Sequence, residues 1–298
     1  MEALEKGSVY TAVIDGYSSE GLGIARVNGA VVFVPHAVRG EEIDLRITKV
    51  MKTSCTGEIV KIHNPSPERM EPECPYAGKC GGCAYRHLTY PEELWAKRQR
   101  VQDALTRLGG SDVTVEEILG AAQPLRYRNK SQYPVSADGR VGFYRARSHQ
   151  VVEVEHCLLQ KPQADALAAA LRQYLAQYHV PGYDETTGRG LVRHLYVRTN
   201  CKGESLVCLL VNGESLPYET ELVALLRQAA PQTVGVVLGV NTRPGNAILG
   251  DRYRTLWGED ALTDVLCGRT VRLSVPSFYQ VNHPQAEVLY GKALEFAG

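Results

Sequence analysis

Residues 20–41, E-G-L-G-I-A-R-V-N-G-A-V-V-F-V-P-H-A-V-R-G-E, set the architecture of the first sixty residues. β-branched and alternating runs are broken at Gly21, Gly23, Gly29, Pro35 and Gly40, a spacing of short strands with turns between them. V-Y-T-A-V-I-D-G-Y (9–17) precedes this stretch, and E-E-I-D-L-R-I-T-K-V (41–50) and T-G-E-I-V-K-I (56–62) follow it with the same texture. Five such segments predict a small closed or partly open β-barrel of OB type over 1–63, a generic five-stranded barrel being the plainer alternative.

Downstream, N-P-S-P-E-R-M-E-P-E (64–73) carries three prolines, which withhold backbone donors from helix and central strand, so it reads as a linker. C-P-Y-A-G-K-C-G-G-C (74–83) comes next, with Cys74, Cys80 and Cys83 in a glycine-rich loop and Cys157 of E-H-C-L arriving 74 residues after Cys83. Four thiolates suit tetrahedral zinc or an iron–sulfur cluster. Zinc sites usually pair two short Cys knuckles, whereas three ligands in one loop plus a singleton favour the cluster. Gly78, Gly81 and Gly82 let the backbone wrap closely and aim amides at sulfur. A loop of idle cysteines is the alternative. Cys55, Cys201, Cys208 and Cys267 lie in strand-like apolar surroundings and read as small core residues.

The chain has 298 residues, 44% of them hydrophobic, which suits about two domains. Lys plus Arg equals Asp plus Glu at 33 each, so no global field directs the molecule to nucleic acid or membrane. The N-terminus lacks the apolar core of a signal peptide, and no stretch approaches the ~18 apolar residues of a membrane span, which predicts a cytoplasmic protein with no membrane partner. Clustered cysteines in that reducing setting point to metal rather than disulfides.

P-E-E-L-W-A-K-R-Q-R-V-Q-D-A-L-T-R-L (91–108) opens with Pro and two acids, repeats apolar residues at helical spacing and ends at Gly109-Gly110, a helix. Strands dominate 124–158, with a turn at Ala137-Asp138-Gly139. Helices are expected at 162–178, 217–228 and from about 283; strands at 190–200 and 204–212, joined as a hairpin, and near 233–240 and 246–257. The region is α+β.

Between Gln123 and Gln150 stand six basic residues, Arg126, Arg128, Lys130, Arg140, Arg145 and Arg147, against one acid, Asp138. Tyr127, Tyr133, Phe143 and Tyr144 interleave with them, the mixture of cations and stacking rings that single-stranded RNA recognition uses. Arg189, Arg193 and Arg198 could extend the same surface. A solvated strand face is the alternative reading.

These residues resemble the RNA uracil-5 methyltransferases that carry an N-terminal TRAM domain and a four-cysteine iron–sulfur cluster. Residues 20–41 look like the TRAM core, and S-P-E-R-M-E-P-E-C-P-Y-A-G-K-C-G-G-C-A-Y-R-H-L (66–88) looks like the cluster segment. L-R-Y-R-N-K, G-F-Y-R, H-C-L and P-S-F-Y-Q-V-N follow in the family's order. The resemblance implies a [4Fe-4S] cluster on Cys74, Cys80, Cys83 and Cys157, more structural and RNA-positioning than redox in role, while the basic stretch itself offers Arg126, Arg128, Lys130, Arg145 and Arg147 as RNA contacts. The resemblance also implies that Phe278 and Gln280 line a pocket for a flipped uridine and S-adenosyl-L-methionine, with Gln280 the contact to the methyl donor. Tyr279 stands where the family often has Phe, which would add a hydroxyl near that pocket.

In that family a cysteine adds to uracil C6, methyl passes from S-adenosylmethionine to C5, and a base removes the C5 proton. Gly298 falls where the resemblance expects a Rossmann-like strand and a C-G-x-G turn. V-L-C-G-R-T around Cys267 lacks the acidic strand and second glycine of such a turn.

The expectation is therefore a truncated enzyme with no catalytic residue of its own. Its TRAM barrel would span 1–63 and a central α+β domain with the iron–sulfur loop 64–90 and 119–272. Elements at 91–118 and 273–298 would pack with a largely absent α/β methyltransferase domain; without it the helix at 91–108 and the last ~25 residues would expose an apolar stripe, form a lattice or dimer contact, or be poorly ordered. The implied function is the RNA-binding half of an enzyme that methylates C5 of a uridine, in 23S ribosomal RNA or, as the alternative substrate, tRNA, inactive alone. The competing function is a non-catalytic RNA-binding scaffold with a zinc or iron–sulfur site.

Overall fold

The computed structural model describes residues 4–298, so residues 1–3 of the expected barrel lie outside the described residues. The chain divides into two compact units, one of residues 1–77 and 83–120, the other of 78–82 and 121–298.

The first unit is built on a closed barrel of β1 (Val9–Tyr17), β2 (Gly23–Val27), β3 (Ala30–Val34), β4 (Glu42–Val50) and β5 (Ser54–Asn64). Its strand order is β1-β2-β3-β5-β4, with β1 closing antiparallel on β4 and β3 running parallel to β5. Alternation along the strands turns Ile14, Val32, Val34, Ile43, Leu45 and Ile47 inward, and Cys55 is buried among them. Closure leaves no free sheet edge. The barrel expected from 20–41 is present.

The proline-rich segment after it is a strap rather than a loose linker. Arg69 donates to both oxygens of Glu41, at 2.5 and 2.7 Å, and Met70 N–H reaches the His87 carbonyl at 3.0 Å. Helix α1 (Tyr90–Asp103) starts under a Thr89 cap and runs into a π-helical turn at Ala104–Leu108. Its first turn docks on the barrel. Buried Glu92 accepts from Arg39 Nε and Nη2, each at 2.9 Å, and from Tyr17 Oη at 2.9 Å, while the Arg39 guanidinium stacks over Trp95 at 3.9 Å. The helix expected at 91–108 is thus docked by its first turn, while Val101 and Leu108 near its end are exposed.

The second unit holds a five-stranded sheet ordered β12-β11-β10-β9-β6, formed by β6 (Lys130–Pro134), β9 (Val192–Thr199), β10 (Ser205–Val211), β11 (Thr233–Val240) and β12 (Arg252–Gly258). Only the β10–β11 pair is parallel. Helices α2 (Pro162–Gln177) and α3 (Glu219–Ala229) pack apolar residues against one face, through Val207, Leu209 and Val211. Leu206, Cys208 and Leu210 turn to the other face, where the hairpin β13 (Ala261–Leu266) and β14 (Arg269–Ser274) adds Leu262 and Leu273. Both faces are covered, so β9 and β10 are buried along their whole length.

A small ribbon of β7 (Gly142–Tyr144) and β8 (Val151–Glu153) and a last helix, α4 (His283–Ala297), complete the unit. Val288, Leu289, Leu294 and Phe296 of α4 are exposed. The division places 64–77 and 83–120 with the barrel and 273–298 with the sheet, so the boundaries expected at 63, 90 and 118 do not coincide with it. Cys201 and Cys267 are exposed turn residues, not core, whereas Cys208 is core as expected.

Candidate nucleic-acid interface

The segment 275–282 between β14 and α4 is held from several sides. Arg198 of β9, only 2% exposed, donates to the Val275 carbonyl at 3.3 Å and also to that of Ser277. Asn129 donates its side-chain amide to Gln280 O at 2.9 Å and its backbone N–H to Val281 O at 2.9 Å, and Arg128 bridges to Asn282. Tyr279 turns inward, its hydroxyl donating to buried Asp264 at 3.0 Å, so it adds no hydroxyl to a surface pocket. Burial, then this carboxylate, pushes its phenol up. Phe278, next to it, is 82% exposed on a braced backbone, and Gln280 is half-buried. An exposed aromatic ring on a rigid loop costs little entropy to use in binding.

The same frame gathers cations. Lys130 of β6 faces Arg198 across the sheet. Burial and then the charges of Arg198 and Arg128 hold its ammonium below the usual lysine range. The Arg128 Nε is buried with no hydrogen-bond partner. Burial likewise lowers Arg198. Like charges brought together in a partly buried place make a positive field that an anion would relieve.

The other basic residues divide. Arg126, in the left-handed region at φ 54°, gives its Nη1 to the carbonyls of Cys157 (2.6 Å) and Gln160 (3.1 Å) and to Asp165 (3.0 Å). It is a brace for the Cys157 segment first. Arg140 pairs with Asp138 at 2.9 Å. Arg145 and Arg147 are exposed in the turn after β7. Of the later arginines, Arg198 joins the Lys130 group, while Arg193 is buried elsewhere. The bracing roles of Asn129 and Asp264 carried no signal in the sequence, because both depend on which loops the sheet brings together.

The four cysteines sought as ligands are free of disulfides; Cys74 and Cys83 belong to the first unit, Cys80 and Cys157 to the second. Cys80 bridges to Arg145, and Gly81 N–H donates to Tyr144 O at 2.9 Å. A Cβ on Gly81 would lie 2.7 Å from Ala146 N, so only glycine fits. Gly82 N–H points at the Cys80 sulfur at 3.4 Å, the amide-to-sulfur contact that stabilises an anionic thiolate ligand. An amide aimed at a soft sulfur donor suits Cys80 to a metal-bound thiolate role. A different group, Cys201, Asp264 and His283, brings its ligand atoms within 4.8 Å of one another. There Asp264 already accepts from Cys201 N (3.0 Å), Val265 N (2.9 Å) and Tyr279 Oη (3.0 Å), which makes it a brace for three segments.

Comparison with known proteins gives the chain its relatives. The TRAM domain family matches residues 3–60. A protein of Clostridium tetani described as an uncharacterized RNA methyltransferase is 39% identical over 99% of this chain and 65% of its own length. Proteins described in the same words from Caldanaerobacter subterraneus and Listeria innocua are 36% and 37% identical, each over 100% of this chain and 67% of their own length. The chain thus spans about two thirds of the length of these relatives. The Pyrococcus abyssi tRNA (uracil-54, C5)-methyltransferase, solved with S-adenosyl-L-homocysteine, shares the fold with a TM-score of 0.73 at 21% identity, over 95% of this chain and 64% of that one. About one third of the length of each of these proteins lies outside the stretch that this chain matches. Among the described residues no helix is long and apolar enough to cross a membrane.

Proposed function

Because the chain belongs to the RNA methyltransferases, we propose that it serves the methylation of C5 of a uridine in RNA from S-adenosylmethionine, with 23S ribosomal RNA favoured over tRNA. One observation carries this reading: an exposed aromatic ring, Phe278, on a loop clamped by Arg198 and Asn129 beside the cations Arg128 and Lys130. Cations pair with phosphates and fix register, and the ring offers a stacking face to an unstacked base. A target base inside a stem must leave the stack before its C5 can be reached, and Phe278 would receive it. Gln280, one residue beyond buried Tyr279, would turn its amide to the methyl donor, which supplies the methyl group.

Cys74, Cys80, Cys83 and Cys157 would hold a [4Fe-4S] cluster. Its role in this reading is to fix the Arg145–Arg147 turn, which Cys80 and Gly81 pair with, as an RNA-facing edge. Arg126 supports the same edge by bracing Cys157.

The test is binding of the chain to short single-stranded RNA at several salt concentrations. Affinity should fall steeply with salt, Lys130→Ala should flatten the log–log slope by roughly one phosphate's worth, and Phe278→Ala should weaken binding roughly tenfold. Salt-independent binding, or a Phe278→Ala variant as tight as the parent, would overturn the interface. Anaerobically purified protein should contain about four irons with matching sulfide. Colourless protein carrying zinc would support the scaffold reading instead.

A further inference from the structure

Strand β9 carries an extra residue. Leu210 of β10 faces His194 and Val211 faces Val192, so Arg193 is inserted between them as a bulge. Bulges re-aim side chains and gather beside functional sites. Arg193 and His194 both line a cavity of about 170 Å³, with Tyr144, His149, Tyr183 and Glu185. No residue of the 275–282 loop lines it.

The wall of this cavity is polar and incompletely satisfied. Arg193 is 3% exposed and His194 4%. Arg193 Nη1 donates to the carbonyls of Asn241 (2.9 Å) and Arg243 (2.7 Å), Nη2 to Gly245 O (3.0 Å), and the guanidinium stacks 4.3 Å over Tyr183. Its Nε has no partner, nor has either ring nitrogen of His194. Burial and the neighbouring Arg193 charge lower His194 to about 4, so the neutral ring offers one donor and one acceptor. Orphaned buried groups are destabilising, and three such atoms on residues lining one cavity are the mark of a site built for a polar ligand.

The remaining lining supplies what the wall lacks. Tyr144 and His149 stack with centroids 5.1 Å apart, and the Glu185 carboxylate accepts from His149 Nδ1 at 2.5 Å and Tyr144 Oη at 3.5 Å. Arg145 and Arg147, exposed in the turn after Tyr144, would carry the phosphates of a strand leading in.

We propose that this cavity receives one unstacked guanine of the bound RNA. The proposal rests on the RNA-binding reading above. Guanine carries two adjacent acceptors, O6 and N7, on one edge and two adjacent donors, N1–H and N2–H, on another. Arg193 Nε–H and the His194 donor meet the acceptors, the Glu185 carboxylate meets the donors, and Tyr144 gives a stacking face. Adenine would bring an amino donor against the Arg193 donor. Cytosine and uracil lack that pairing of edges.

The chain is titrated with a ten-nucleotide oligouridylate, the same oligomer with one central guanosine, and versions with adenosine or inosine there. Guanosine should tighten binding roughly five- to tenfold over uridine, with inosine intermediate for want of its 2-amino donor. Glu185→Gln should bring the guanosine and uridine oligomers within about twofold of each other. Equal binding of the guanosine and adenosine oligomers, or an undiminished guanosine advantage in Glu185→Gln, overturns the cavity assignment while salt-sensitive oligouridylate binding leaves the interface standing. Failure of every oligomer to bind removes the RNA reading itself.

Discussion

Glu92 is enclosed where α1 meets the barrel, with its carboxylate shared between Arg39 and Tyr17. In the sequence it reads as one of two first-turn acids favoured by the helix dipole. Its burial follows from Arg39, 53 residues earlier, which no local pattern signals. Glu92→Ala leaves that guanidinium without its carboxylate and should cost about 3 kcal/mol in chemical denaturation. His87 gives a second expectation at this scale. Burial, then the charges of His36 and Arg69, lower its imidazole to about 4, so the folded form resists a proton that the unfolded chain takes up near 6.5. Its contribution is intact above that value and is lost as pH falls from 6.5 toward 4, by roughly 3 kcal/mol at most. Glu41, which faces it, adds to the acid sensitivity: burial opposes its ionisation, but the hydrogen bonds from Arg69 and Val38 outweigh this and hold it below the usual range. Urea midpoints across that pH range should therefore fall less steeply in His87→Gln than in the parent.

Among the elements, the cysteine loop shows most plainly what the sequence could and could not reveal. Its glycines mark a close backbone approach, and Gly81 does meet one, against Ala146. That the approach is to the turn after β7 depends on tertiary pairing of Cys80 with Arg145. Gly81→Ala should push this loop off the turn and lower the iron retained per chain by at least half, without changing the melting of the barrel. Iron content equal to the parent would show that the pairing does not support the ligands. The barrel strands, α1, α2, α3 and α4 were legible because their periodicity and end signals agree with their burial. The β13–β14 hairpin was not. R-T-V-R-L-S places charges through a short strand, and its two-residue turn is Cys267-Gly268, with φ of 48° and 72°, rather than an Asn-Gly signal. Cys201 and Cys267 were misread for the same reason, since apolar neighbours do not reveal that a turn lies between them.

At the scale of the molecule, a formal charge of zero conceals a local field. Lys130 and Arg198 face each other only because β6 and β9 pair, and Arg128 joins them beside the Phe278 loop. The motifs of 123–150 and 275–282 announced their residue types; the sheet supplies their proximity. It also redistributes roles, turning Arg126 into a brace and Arg193 into a cavity wall. Every role proposed for the site depends on uridine methylation. Mapping 5-methyluridine at nucleotide resolution in RNA from cells with and without the gene tests it most directly. Loss of the modification at a defined uridine of the large ribosomal RNA is the predicted result, and an unchanged pattern across ribosomal and transfer RNA would contradict it.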